Sequence, residues 1–419
     1  MEKVNMTIGI LLVMAFMVLF STTSSLAKME KPQKVKFADR VGWKLQNDLI
    51  EVIVLEGGGH IVSAKFVGKG MPDVNPFWIP GWKSIEPKDF DKKKHAPIYG
   101  DNHEGKLLAS IMGHNICLDF FGVPSPEEYE YGGITVHGEG PVVMWKVMKK
   151  WANENEVGLV YGADLPKAQL HIERTVVLKK GEPTFYVTEK LTNKGYFDRP
   201  FSWCQHVTMG APFVKGGVTV FDIPAYRSTV ASFKFSDKMR YKEGAEFRWP
   251  YCPGSKKKTV VTRIAATETE SSDYTAQLLD PNLPYGYFTA ANPNLQLMLG
   301  YVWNRKDFPW LDNWEENHAR THKPWKGKET TRGMEFSNTP WTYTRQKCVE
   351  TGKLFDTPTH HWIKAGKTIT TNYVGFLCKI PKDFRGTQML DIGPKGITVE
   401  RLDGKKMDVP CSDVENIVK

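Results

Sequence analysis

Residues 170–191 alternate strictly between apolar and polar positions. Leu170, Ile172, Arg174, Val176 and Leu178 take every second place, the chain turns at "KKGEP", and Phe185, Val187, Glu189 and Leu191 repeat the period on the return. A period of two belongs to a strand whose faces see different surroundings, so this stretch predicts a long hairpin. "LIEVIVLEGGGHIVSAKFVG" (49–68) reads as two β-rich runs around a glycine turn, and "KTITTNYVGFLCKI" (367–380) as a further strand. Nowhere do capping residues frame an amphipathic stretch of twelve residues with a 3.6 period. The pattern therefore predicts an all-β chain of large antiparallel sheets packed face to face.

Two regions lack either period and read as long loops. Residues 71–105 are rich in Pro, Lys and Trp, and residues 303–345 carry five of the thirteen tryptophans among Asn, Glu, His and Arg. Long loops of this composition are more often functional than idle. In "SWCQHVTMGAPF" (202–213), His206 falls where a strand is expected to run out into a loop.

The N-terminus changes the setting. Lys3 precedes the apolar run "IGILLVMAFMVLF", followed by "STTSSLA" with small residues at Ser25 and Ala27. A basic start, an apolar stretch of about 13 residues and small residues before the cut are the parts of a secretory signal peptide. The run is short for a membrane span, which needs ~20 apolar residues. We expect residues 1–27 to be a signal peptide, 28–384 the main β domain and 385–419 a C-terminal extension, forming a short strand pair or a tail. The expected location is periplasmic or secreted, with no stable membrane insertion once the signal is removed.

The formal charge of +9 survives that removal, because Glu2 and Lys3 cancel. The "KKK" runs at 92–94 and 256–258 sit in expected loops without interleaved arginine and aromatics. They read as solvated surface, and export argues against a nucleic-acid partner. Six cysteines (117, 204, 252, 348, 378 and 411) show no C-x-x-C spacing, so no zinc ribbon or redox motif follows and no pairing can be assigned. No G-x-S-x-G elbow, phosphate-binding loop or dinucleotide fingerprint is present.

The candidate chemistry lies in the aromatic region and the histidines. Indole faces stack on the C–H faces of sugars, while Asn, Asp, Glu, Arg and His bond the hydroxyls at the rim; Trp314, Trp341 and Arg320 are the binding candidates. His318 and His322 in "HARTH" are four apart, the spacing of a helical metal pair, but Pro324 limits a helix there and no metal is expected. His360 and His361 are adjacent on an expected strand and point to opposite faces. His137 sits between glycines in "GGITVHGEG".

"GGITVHGEG", then "CQHVTMGAPF", "RGMEFSNTP" and "HWIKAGKTITTNYVGF", in that order, resemble the landmarks of the galactose mutarotase-like superfamily, which includes the aldose 1-epimerases. The resemblance spans roughly residues 45–380. "LLASIMGHNICLDFFG" (107–122) stands where the family carries an Asn-Arg segment, and "QHVTMGAPF" departs from its usual Asn-His text. The resemblance implies a large antiparallel β-supersandwich with long loops over one concave face. It further implies His206 as general acid, Glu335 as general base, and His137 holding a sugar or oligosaccharide without a cofactor. It also implies a binding aspartate, for which Asp273 is the candidate and Asp280 and Asp312 are rivals. The chemistry is self-consistent. Opening a pyranose needs one acid at the ring oxygen and one base at the hydroxyl of the same carbon. The alternatives are a carbohydrate-binding protein without turnover, or a polysaccharide lyase or glycoside hydrolase. A lyase acting on an acidic glycan would take its cation from Arg320, Arg332 or Lys323, and a hydrolase would take its carboxylates from Glu315, Glu316 and Glu335.

Overall fold

In the computed structural model, residues 29–268 and 270–418 are described, and the expected signal segment lies outside them. Among those residues two antiparallel sheets dominate, one of twelve strands and one of eight, with helices of at most eight residues. Five strands of the larger sheet matter for function: β1 (His114–Asp119), β2 (Arg199–Gly210), β3 (Ser271–Leu279), β4 (Trp310–Asn317) and β5 (Thr330–Ser337). They lie side by side in the order β1-β2-β5-β4-β3 at the centre of the sheet.

The expected hairpin forms as Leu170–Lys179 and Thr184–Asn193 in the eight-stranded sheet; the first arm keeps a strict buried/half-buried alternation, while the second opens with four buried residues before it alternates. Arg174 and Glu189 face each other across it, both fully buried, with Arg174 Nε donating to Glu189 Oε1 at 2.5 Å. They belong to a polar network between the sheets. Glu189 also accepts from Gln205 Nε2 at 2.5 Å and from the Tyr373 hydroxyl at 3.0 Å; His114 bonds Gln205 at 3.0 Å and the Tyr301 hydroxyl at 3.1 Å. Buried charges persist only when paired and bonded in this way. Gln205 and His114 belong to β2 and β1, so the network ties the back of those strands to the second sheet. Aromatic contacts fill the remaining interior, including Trp303 stacked on Phe336 at 4.2 Å between ring centroids.

Several expectations are corrected. Residues 303–345 are not a loop: they supply β4 and β5, two central strands. His206 does not close a strand but sits inside β2, which runs on to Gly210. Lys92–Lys94 open an exposed helix, Lys92–Tyr99, rather than a loop. The chain beyond 385 is neither a strand pair nor a tail. It forms a three-stranded sheet, Thr387–Gly393, Gly396–Arg401 and Lys406–Pro410, followed by the helix Val414–Val418. Its Leu390, Ile397, Val399 and Val409 bury against Tyr287, Met298 and Phe376 on the outer face of the eight-stranded sheet.

Candidate functional site

Directly opposed residues of antiparallel strands share a face, and three rows of opposed residues build one side of the central sheet. The middle row runs Asn115, His206, Glu335, Asp312, Ala276 across β1, β2, β5, β4 and β3. A second row runs Thr208, Gly333, Trp314, Tyr274, and a third Cys117, Cys204, Ser337, Trp310, Leu278. Gly333 is required by this arrangement, because a Cβ there would overlap the Glu335 carboxyl group.

His206 Nε2 stands 3.1 Å from Glu335 Oε1, and its Nδ1 bonds the Thr208 hydroxyl at 2.9 Å. Both Glu335 oxygens are buried without an aligned hydrogen bond from the protein, so the His206 contact is a close approach off the hydrogen-bond axis. A buried carboxyl group with open acceptor positions is costly, ~1–3 kcal/mol or more, unless a ligand or water completes it. Burial pushes Glu335 well above the usual carboxylate range, with the Cys117 thiol and the Asp312 carboxyl adding to it. Burial also lowers the His206 imidazole well below its ordinary range, helped by the neighbouring His137. Both members of the pair are thus driven towards their neutral forms.

His137 reaches the same place from a turn. Its φ of +66° and the +74° of Gly138 are left-handed, and a Cβ on Gly138 would strike the Leu118–Asp119 backbone. The ring lies 4.9 Å from that of His206, centroid to centroid, stacks on Phe121 and bonds the Phe121 carbonyl through Nδ1. Beneath it, burial would raise the Cys117 thiol, but the Cys204 thiol and the His137 imidazole bring it down to about 6.

These groups open onto a cavity of about 130 Å³, walled by His137, His206, Glu335, Trp314 and Arg320 together with aliphatic and aromatic side chains. A buried water needs roughly 10–15 Å³ on the same scale, so the cavity holds on the order of ten heavy atoms, a single sugar ring. The Arg320 guanidinium lies 5.2 Å from the Trp314 ring and 4.9 Å from that of Trp325, and its Nε sits 3.4 Å from Glu316.

Of the candidates named from sequence, His206, Glu335, His137, Trp314 and Arg320 therefore converge. Two do not. Asp273 projects from the opposite face of β3, where Arg240 binds it through backbone N and Nε at 2.7 and 2.6 Å and Glu315 opposes it. One residue along the strand, Tyr274 faces the cavity instead. Trp341 is a layer back, 6.1 Å from Tyr274 and 6.2 Å from Phe233 between centroids. Of the rival aspartates, Asp280 lies in a turn, its carboxylate bonded to Asn282, while Asp312 stands beside Glu335. His318 forms no pair with His322; its nitrogens bond the Gly327 carbonyl and the Thr330 hydroxyl. The cavity wall contributed by Leu107, Leu108, Ile111 and Phe121 was not foreseen, although all four lie in or at the ends of the segment that departs from the family text.

No protein-family model matches the chain, and no curated protein matches it in sequence. Solved structures do match in shape. A protein from Klebsiella pneumoniae provisionally assigned as an aldose 1-epimerase superposes with a TM-score of 0.58 at 13% identity, over 82% of this chain and 80% of the other. A galactose mutarotase-like protein from Clostridium acetobutylicum gives 0.53 at 12% identity, over 84% and 99%. A protein from Salmonella typhimurium provisionally assigned as a mutarotase gives 0.53 at 11%, over 83% and 94%. At these identities the likeness is one of fold: the chain has the galactose mutarotase-like β-sandwich.

Proposed function

We propose that this chain is an exported sugar-active enzyme that interconverts the anomers of an aldose. The observation that carries the reading is the His206–Glu335 pair, 3.1 Å apart, with both carboxyl oxygens open, at the wall of a cavity sized for one sugar ring. The pair is read as holding a single proton. In ring opening, the group that carries the proton delivers it to the ring oxygen as the C1–O5 bond breaks. The other group takes the proton of the C1 hydroxyl as C1=O forms. Rotation about C1–C2 and the reverse transfers close the ring as the other anomer, with acid and base exchanged. Because burial favours the neutral form of both groups, the resting proton is assigned to Glu335 and His206 is the free base. This reverses the division of labour implied by the family resemblance. Positioned acid and base groups each supply about 10²–10⁴-fold. His137 and Arg320 are assigned to hold the sugar, and the Trp314 face to stack against it.

The lyase reading finds less support, since Arg332 is buried on the opposite face, opposite Glu315. The hydrolase reading loses Glu315, which shares that opposite face. The N-terminal "IGILLVMAFMVLF" supports export.

The test is polarimetry or NMR on freshly dissolved α-glucose and α-galactose, with wild type beside His206→Ala and Glu335→Gln. Mutarotation faster than buffer, lost in both variants, supports the enzyme. Sugar binding in calorimetry without acceleration would replace it by a binding protein on the same scaffold.

A further inference from the structure

The reaction described above leaves one carboxyl group at the site unused. Asp312 lies directly opposite Glu335 on the neighbouring strand, on the same face and with no exposed surface. Its hydrogen bonds can be counted. The Ser337 hydroxyl has one proton and two oxygen neighbours, the Thr339 carbonyl and Asp312 Oδ2 at 2.9 Å. A carbonyl only accepts; when Ser337 turns its proton to Thr339 rather than to Asp312, the hydrogen between Ser337 and Asp312 comes from the aspartate, which is then a neutral acid.

The groups facing Asp312 agree. They are Glu335 and Ser337 from β5, Tyr274 from β3, Cys204 from β2, Cys117 from β1 and Cys348 from the helix Arg345–Thr351. No lysine or arginine neutralises it among the described residues, and the Tyr274 hydroxyl approaches without an aligned hydrogen bond. Two buried carboxyl groups facing each other do not both ionise, and burial with no cation beside it favours the neutral form of Asp312.

We infer that Asp312 is a positioning residue held as a neutral carboxylic acid at neutral pH, and that its neutrality keeps the His206–Glu335 proton mobile. Its catalytic consequence rests on the anomer-interconverting reading; its protonation does not. When Asp312 ionises, the new negative charge beside Glu335 makes Glu335 a poorer acid, and proton delivery to the ring oxygen stops. Asp312 thus sets the alkaline limb of activity.

Two measurements on the full chain test this. Infrared difference spectra between wild type and Asp312→Asn near neutral pH should show loss of a carboxylic-acid C=O band. Loss of a carboxylate band instead would overturn the inference. In the mutarotation assay, Asp312→Asn should stay active near pH 6, since its amide donates to Ser337 as the acid does. Its alkaline limb should move up by about one pH unit or more. An unmoved limb, or inactivity of a folded variant at every pH, would equally overturn it. Should Asp312→Asn not fold, Ser337→Ala provides the readout. Removing the acceptor should shift the acid band to higher frequency, and an unchanged band would count against the assignment. A protonated Asp312 in a protein that accelerates no sugar would sink the anomerase reading and leave the protonation standing.

Discussion

Replacing Glu335 with glutamine should abolish turnover and, at the same time, stabilise the fold increasingly as pH rises. The native carboxyl group is pushed well above its ordinary value of 4.5, by burial first. The sign follows from linkage: the folded state holds this proton more tightly than the unfolded one. Stability is therefore greatest below about pH 4.5 and falls as pH climbs from there through the native value. Each pH unit in that window removes ~1.4 kcal/mol. Glutamine does not titrate and escapes the loss. With an unfolding entropy of ~2.1 cal/mol/K per residue, about 390 folded residues give roughly 0.8 kcal/mol/K. The Tm of the variant should therefore gain about 1.7 °C over wild type for each pH unit of that window. Differential scanning calorimetry at three pH values measures this. A difference independent of pH, or a variant less stable than wild type throughout, would mean that Glu335 is ionised in the fold, and the neutral-pair reasoning would fail.

Three further outcomes are expected. Gly333→Ala retains both His206 and Glu335, yet its Cβ displaces the carboxyl group; kcat should fall by about 10²-fold or more while circular dichroism stays native. Asp273→Asn breaks the ion cluster with Arg240 on the far face and should cost about 1–3 kcal/mol in urea denaturation with KM unchanged, whereas a raised KM would restore Asp273 to the sugar site. Ending the chain at residue 384 uncovers the apolar outer face around Tyr287, Met298 and Phe376, and should yield aggregated protein by size-exclusion chromatography, a monodisperse product refuting the role of that layer.

The strands legible in the sequence are those with one apolar and one wetter face. Leu170–Lys179 shows it clearly, since a two-fold period survives wherever the two sides of a strand meet different media. β4 was illegible for the converse reason. Leu311, Asn313 and Glu315 face the interior of the sandwich while Trp310, Asp312, Trp314 and Glu316 face the site, and every residue of the strand is buried. With polar groups on both faces, the pattern mimics a loop. The same mixture concealed the course of β2 beyond His206, where Thr208 and Gly210 interrupt the apolar series without ending the strand.

Periodicity along the chain determined the all-β class, and the order of motifs resembling the galactose mutarotase-like superfamily singled out His206, Glu335 and His137, because an imidazole and a carboxyl group needed for proton transfer must appear as such in any sequence. Which aspartate stands at the site was decided only by tertiary structure. Asp273 and Asp312 are equally plausible as letters, but the pleat sends consecutive side chains to opposite faces, and the register between β3, β4 and β5 determines which face is shared with Glu335. Register depends on pairing between segments distant in the chain, and a shift of one residue would have exchanged the two.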